Sequence, residues 1–358
     1  MTEPTANVIA SASPTPRVVI AIDAMGGDFA PREIVAGAVQ AALVHQVGIQ
    51  LVGAEAILQA ELERLRAEGQ LLDALPIEIV PAAEVIDMAE SPASALRRKK
   101  DASIVVSAKC VAKGTAHAMV AAGSTGAAMA AALLYIGRID GVERPAIGVV
   151  LPSSGAPCLL LDAGANADCI PEMLLQFARM GSVFMQNVYE ARHPRVGLLN
   201  IGQEVGKGNA FVNACYPLLS ADPYLNFIGN VEGRDLFLGT VDVAVCDGFT
   251  GNVALKSAEG VVLMFAQHLK AKLTGSWQSK LGAMLARSAL VEAKKKVDPD
   301  EFGGALLLGI NGVCVIAHGG SKAAAIVNAV RVAKNAVEAR VLEKIGLRIT
   351  EGLTHACP

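Results

Sequence analysis

The chain has 358 residues, 53% hydrophobic and only 18% charged. That composition supports one large or two ordinary buried cores and excludes a disordered or low-complexity protein. Thirty-one basic and thirty-four acidic residues give a net charge of -3. With no long basic block to follow a phosphate backbone, nucleic acid is not an expected partner. Aromatics are 4% and glycines number 35, which favours tight loops around an aliphatic core, as in a parallel α/β enzyme.

Residues 1–16 lack the basic start and apolar stretch of a signal peptide and read as a disordered leader. From there one phrase recurs: a short apolar run, a Gly-rich polar loop, then a helical pattern. The run 18–22 leads to Asp23-Ala-Met-Gly-Gly-Asp28, and the run 49–52 to a charged helix. The run 118–122 leads to Gly123-Ser-Thr-Gly126, and 159–161 to Asp162-Ala-Gly-Ala-Asn166. The run 196–199 leads to Asn200-Ile-Gly-Gln-Glu-Val-Gly-Lys-Gly-Asn209. Finally, 241–245 leads to Cys246-Asp-Gly-Phe-Thr-Gly-Asn252, and 313–317 to His318-Gly-Gly-Ser-Lys322. Alternating strands and helices predict a three-layer α/β/α fold with a mostly parallel sheet, whose ligands gather at the carboxyl ends of the strands. No linker divides residues 17–345, which are expected to form one domain, with 346–358 as a tail.

Residues 256–296 depart from the phrase and read as two helical segments around Leu273-Thr-Gly-Ser-Trp277. They hold eight Lys/Arg against Glu259 and Glu292, a local balance of +6. Trp277, Leu281, Met284, Leu285 and Val291 fall close to one helical stripe. This arm is expected either to pack on the core or a second subunit, or to touch anionic lipid.

The mean hydropathy of +0.43 is high, yet neither long apolar stretch reads as a membrane span. Residues 118–137 are interrupted by Gly123, Ser124, Thr125 and Gly126, and 303–317 are too few; buried parallel strands read the same way. The seven cysteines form no CxxC pair and no metal-type spacing with the six histidines. A reducing cytoplasm and no metal site are expected.

Gly-rich loops ahead of helices offer free amides and positive dipole ends, so an anion, phosphate first, is the ligand to consider. Neither GxGxxG nor GxxxxGK[ST] occurs. Lys207 stands between Gly206 and Gly208 and can bring a compact charge to an anion. Asn166, Asn200, Asn209 and Asn252 are turn residues whose NH2 groups can also donate to an oxyanion. His318 is a general acid or base, or a strand-end histidine. Asp23, Asp28, Asp162 and Asp247 read as caps rather than metal ligands. Cys246 ends a buried strand with no local histidine to activate it.

The motifs at 23–31, 122–127, 162–166, 199–209, Gly229-Asn-Val-Glu-Gly-Arg234 and 246–256, in that order, resemble those of the bacterial phosphate acyltransferases of phospholipid synthesis, over residues 18–340. The resemblance implies a fold like that of isocitrate and isopropylmalate dehydrogenases and of phosphotransacetylases, and a homodimer. It implies transfer of a long-chain fatty acyl group from acyl-acyl carrier protein to inorganic phosphate, with neither cofactor nor acyl-enzyme. Lys207, Asn252 and Asn200 are the expected catalytic residues. Gly26, Gly27, Ser124, Thr125, Gly126, Asn166, Gly206, Gly208, Asn209, Thr250, Gly251 and His318 are the expected substrate-binding ones. The expected location is cytoplasmic, on the inner face of the membrane, feeding a membrane-bound glycerol-phosphate acyltransferase. Two positions depart from the family pattern: Ser124 replaces an Asn, and His318-Gly-Gly-Ser321 replaces HGSS. The rival reading is a nicotinamide-dependent decarboxylating dehydrogenase of the same fold, which needs clustered arginines and metal-binding aspartates.

Overall fold

The computed structural model describes residues 18–70, 72–297 and 303–354; the leader expected at 1–16 lies outside them. Eleven strands form one sheet in the order β3-β2-β1-β4-β11-β10-β5-β6-β9-β7-β8. They are β1 (Val19–Asp23), β2 (Gly48–Gly53), β3 (Ile77–Pro81), β4 (Ala118–Ala121), β5 (Ala146–Leu151), β6 (Cys158–Leu161), β7 (Arg195–Leu199), β8 (Asn226–Val231), β9 (Val243–Val245), β10 (Ala305–Leu308) and β11 (Val313–Ile316). Helices α1 (Arg32–His45), α2 (Glu55–Ala67), α3 (Pro92–Arg98), α4 (Ser103–Ala112), α5 (Thr125–Ala131), α6 (Pro171–Val188) and α7 (Ala210–Ala221) interleave with the strands. Beyond β9 come α8 (Gly248–Thr274), α9 (Trp277–Leu285) and α10 (Arg287–Val297), and after β11 come α11 (Ala323–Glu338) and α12 (Val341–Thr354).

Alternating side chains divide the core into two faces, which accounts for the continuous apolar strands. On β4, Ala118 and Val120 pack towards α1, α6 and α11, while Met119 and Ala121 pack towards α4 and α5; β6 and β11 divide in the same way. Helices α1 and α11 cross closely because position 37 is glycine: a Cβ there would lie 2.6 Å from the Ala323 carbonyl oxygen.

The sheet is mostly parallel, as expected, but its halves run in opposite directions. β10 pairs antiparallel with β11 and β5, and β5 antiparallel with β6. Strands β3, β2, β1, β4 and β11 therefore point one way, and β6, β9, β7 and β8 the other. The Gly-rich loops do not share one carboxyl edge, as the repeated phrase suggested; they divide into two sets facing each other across β10 and β5. The boundary drawn at 345 falls inside α12, whose Ile345 and Ile349 are both buried.

The arm is three helices rather than two. α8, at 27 residues, is about 40 Å long. Its only buried residues, Gly248 and Gly251, lie in the first turn. α9 packs on α8 and α10 on α9.

Candidate active site

The second set of loops is organised by Asp162, fully buried at the end of β6. Its Oδ1 accepts the amides of Ile147 (3.0 Å), Gly164 (3.1 Å) and Ala165 (2.9 Å). Its Oδ2 accepts the amide of Asn166 (2.7 Å) and the side-chain Nδ2 of the same residue (2.9 Å). That Nδ2 also donates to the Pro145 carbonyl at 2.8 Å, so the Asn166 side chain holds the loop. Helix α8 docks on this loop: the Gly248 amide donates to the Asn166 carbonyl at 2.7 Å. Asp247 caps the helix, accepting the amide (2.8 Å) and hydroxyl (2.7 Å) of Thr250. Thr250, Gly251 and Asn252 thus lie in the first turns of a helix, not in a loop.

Two cavities flank this helix start. The larger, about 680 Å³, runs along β5 between the two sets of loops. Its floor is apolar, with Ile147, Val149 and Leu151 of β5, Met129 of α5 and Leu255 and Val262 of α8. At one end stand Gly164 and Asn252, and at the other Thr125, Gly126, His318 and Ser321. Lys256 and Glu259 form an ion pair of 2.8 Å on the α8 wall. A cleft of this size, apolar along its length and polar at its ends, suits an extended apolar ligand with a polar head.

The smaller cavity, about 270 Å³, lies on the other side of the α8 start, lined by Asn200, Gly208, Asn209, Asp247 and Thr250. Asn200 organises it: its Oδ1 accepts the Ile201 amide at 2.8 Å and its Nδ2 donates to the Lys207 carbonyl at 3.1 Å. Gly208 must be glycine, with a φ of +92° and a would-be Cβ 2.4 Å from that Oδ1. Lys207 is exposed, and Gly206 beside it has open space around its Cα. Asn209 caps α7 by accepting the Val212 amide at 2.9 Å. Of the three expected catalytic residues, Asn252 lines the larger cavity and Asn200 the smaller, while Lys207 lines neither.

The glycines of the first set serve close approach. A Cβ on Gly26 would lie 3.1 Å from the Gly123 Cα, and one on Gly27 2.9 Å from the Ala122 oxygen, so the loop after β1 backs the loop after β4. Ser124 caps α5, accepting the Ala127 amide at 3.4 Å; Ser and Asn are both strong caps, so that departure keeps the local structure. At 320 a side chain would meet only ordinary contacts, 3.6 Å from His318 Nδ1.

Burial pushes the Cys246 thiol well above its ordinary value, with Asp247 and Asp162 adding to the effect. Its Sγ donates to the Asp162 carbonyl at 3.6 Å, an environment that disfavours a thiolate nucleophile. Burial likewise raises the Asp23 carboxyl, against hydrogen bonds from Ser103 and the amides of Met25 and Gly26. Among the described residues no group of three or more His, Cys, Asp and Glu is arranged to hold a metal ion.

Ser321, Gly164, Lys256 and Glu259 also line the cleft, and none of them was an expected site residue. Ser321 and Lys256 close two of the motifs already quoted, but their periodicity and spacing carried no sign that they face a cavity.

A family described as fatty acid synthesis protein matches residues 18–344. A phosphate acyltransferase of Pelotomaculum thermopropionicum is 52% identical over 326 residues, 91% of this chain and 93% of its own. The chain belongs to the phosphate acyltransferase family. It is therefore an enzyme, a transferase with a role in fatty acid synthesis. A second family member, from Heliobacterium modesticaldum, is 50% identical over 94% of this chain and 99% of its own.

Among solved structures, a phosphotransacetylase from Streptococcus pyogenes covers 90% of this chain and 94% of its own, with a TM-score of 0.61 and 15% identity. A 4-hydroxythreonine-4-phosphate dehydrogenase from Klebsiella pneumoniae covers 89% and 99%, with a TM-score of 0.52 and 12% identity. These likenesses are of fold alone. The dehydrogenase alternative has only such a likeness behind it, whereas the acyltransferases share half of the sequence.

Proposed function

We propose that this enzyme transfers a long-chain fatty acyl group from acyl-acyl carrier protein to inorganic phosphate, giving acyl-phosphate and free carrier for glycerophospholipid synthesis. The observation that carries the reading is the larger cleft, with its apolar floor along β5 and α8 and polar groups at both ends, on a chain of the phosphate acyltransferase family. The floor takes the acyl chain and the polar ends take the groups that react or anchor.

The chemistry asks little of the protein in proton transfer. A thiol with a pKa of about 8.5 leaves readily as thiolate, so strong general-acid help is dispensable. The site must hold a dianionic nucleophile against the carbonyl and stabilise the tetrahedral oxyanion. In this scheme Asn252 donates to the oxyanion, Lys207 brings its charge to the phosphate from the Gly-rich loop, and Asn200 shapes that loop. Phosphate oxygen attacks the thioester carbon, the C–S bond breaks, and the carrier's phosphopantetheine thiolate departs without an acyl-enzyme.

The enzyme works as a homodimer on the cytoplasmic face of the membrane, and the arm supplies both contacts. Phe265 and Met264 of α8 and Trp277, Leu281 and Leu285 of α9 are exposed in the single chain, among the arm's excess of basic residues. In this scheme attachment to anionic lipid is peripheral, through the arm; no helix of the described residues is long and apolar enough to cross a membrane. The amphiphilic product then passes to a membrane-bound glycerol-phosphate acyltransferase.

The decisive assay is thiol release from a long-chain acyl carrier protein. Release should require inorganic phosphate, saturate with it, and be matched by acyl-phosphate trapped as hydroxamate. Release at the same rate without phosphate would refute the proposal.

A further inference from the structure

The loop from β11 into α11 holds polar groups that the scheme above does not use. Ser321 is only 2% exposed and lines the larger cleft, yet its Oγ has no hydrogen-bond partner. Buried hydroxyls are almost always paired, because an unmet donor costs stability. A polar group of a ligand in the cleft would supply the missing partner.

Two residues later α11 begins, 16 residues long, and Ala325 of its first turn lines the same cleft. Its N-cap is Lys322, which offers no side-chain acceptor to the helix. Glu33 takes the Ala323 amide at 3.0 Å. The next two amides, of Ala324 and Ala325, belong to the first turn that the helical ladder cannot serve, at the positive end of the macrodipole. His318 adds a further donor. Its Nδ1 accepts the Gly320 amide at 3.1 Å, which in the neutral ring places the proton on Nε2, and the ring lines the cleft. Ser321, His318 and the first turn of α11 therefore border the same cavity.

We propose that Ser321, His318 and the N-terminus of α11 form a binding subsite for a phosphate oxyanion. Tetrahedral oxyanions take several convergent donors, and helix N-termini bind them through amides and dipole together. The nearby charges, Glu33 and Asp28 against Lys322 over the Phe29 ring at 5.5 Å, leave one negative charge in excess. Attraction at this site thus comes from oriented donors rather than net charge. The inference rests on the phosphate acyltransferase reading, which offers two sources of the group: free inorganic phosphate, and the phosphodiester of the carrier's phosphopantetheine arm. From Ile147, beside the Asp162 loop, to Leu151 the chain of β5 extends about 13 Å, so the subsite is well separated from Asn252.

The full-length protein is tested by calorimetry and thermal shift with inorganic phosphate, with holo carrier protein and with carrier lacking its prosthetic arm. Ser321→Ala should leave the ligand-free Tm unchanged or raised, because it removes an unpaired buried hydroxyl, while binding of one probe weakens about tenfold. If inorganic phosphate is the source, its Kd at this subsite rises while its KM and the KM for acyl carrier stay, because the subsite is separated from the reacting carbonyl beside Asn252. If the prosthetic arm is the source, the holo carrier binds like the armless one and the KM for acyl carrier rises alone. Ser321→Gly should reproduce the result without an added side chain. Wild-type affinity for both probes in both variants would overturn the proposal, as would a lowered ligand-free Tm with binding intact, which marks a structural hydroxyl. Failure of phosphate-dependent thiol release in the wild type would instead refute the proposed function, while the binding measurements would still judge the subsite.

Discussion

Gly251→Ala tests the joint on which both cavities depend. A Cβ at 251 would lie 1.9 Å from the Asp162 carbonyl oxygen and 3.0 Å from the Cys246 Sγ. The first obstacle is backbone, in a loop pinned by the five hydrogen bonds that the Asp162 carboxylate accepts, so it cannot rotate away. Overpacking costs about 1–3 kcal/mol, and a rigid obstacle puts this site at the upper end. Alanine returns about 1 kcal/mol over glycine within a helix, leaving a net loss of about 2 kcal/mol. An unfolding entropy of about 2.1 cal/mol/K per residue over 358 residues converts this to a fall in Tm of roughly 3 °C. Gly260→Ala, farther along the same helix, meets nothing within 4 Å and should raise Tm by roughly 1 °C. Scanning calorimetry measures both. Because α8 must shift outward by about 1 Å or more to admit the methyl, Asn252 moves with it, and turnover should fall on the order of 10². A Gly251→Ala protein with wild-type Tm and full turnover would refute the reasoning.

Four further outcomes are expected. Asn252→Ala and Lys207→Ala should each lower kcat by about 10² or more in a folded protein, as loss of a transition-state donor does; wild-type turnover for either would remove that residue from the mechanism. Cys246→Ala should keep most activity, since burial holds the thiol protonated, and mass spectrometry of stalled enzyme should find no acyl group on it. Burial raises the Asp23 carboxyl, so the native state binds that proton more tightly than the unfolded chain. Stability should therefore fall as pH rises from the ordinary carboxylate value of about 3.9 through the raised native one, and Asp23→Asn should flatten that slope in denaturation curves; an unchanged slope would assign the effect elsewhere. Wild type should sediment with anionic vesicles at low salt and less so at high salt, whereas a Trp277→Glu, Leu281→Glu double variant should stay unbound, dimeric and active; loss of the dimer instead would assign Trp277 and Leu281 to the subunit interface and refute their role at lipid.

Local patterns in the chain were enough for the α/β/α class, the mostly parallel sheet and the loops that border the cavities, because apolar strand, Gly-rich turn and helix start each leave a short-range signature. Ser124, Asn209 and Asp247 sit at helix N-caps, as residue type and position suggest. The reversal of the sheet at β10 and β5 left no such mark, since strands buried on both faces read alike in either direction. That reversal divides the loops into two sets and opens the cleft between them. Tertiary packing likewise separated polar residues that look alike in sequence: Asn166 is consumed holding Asp162, whereas Asn252 faces the cleft. Ser321 is one serine in a Gly-rich loop until the fold buries its hydroxyl at the cavity wall. Composition could not assign the partner of the arm's exposed apolar stripe, because burial on a core, a second chain or lipid rewards the same residues.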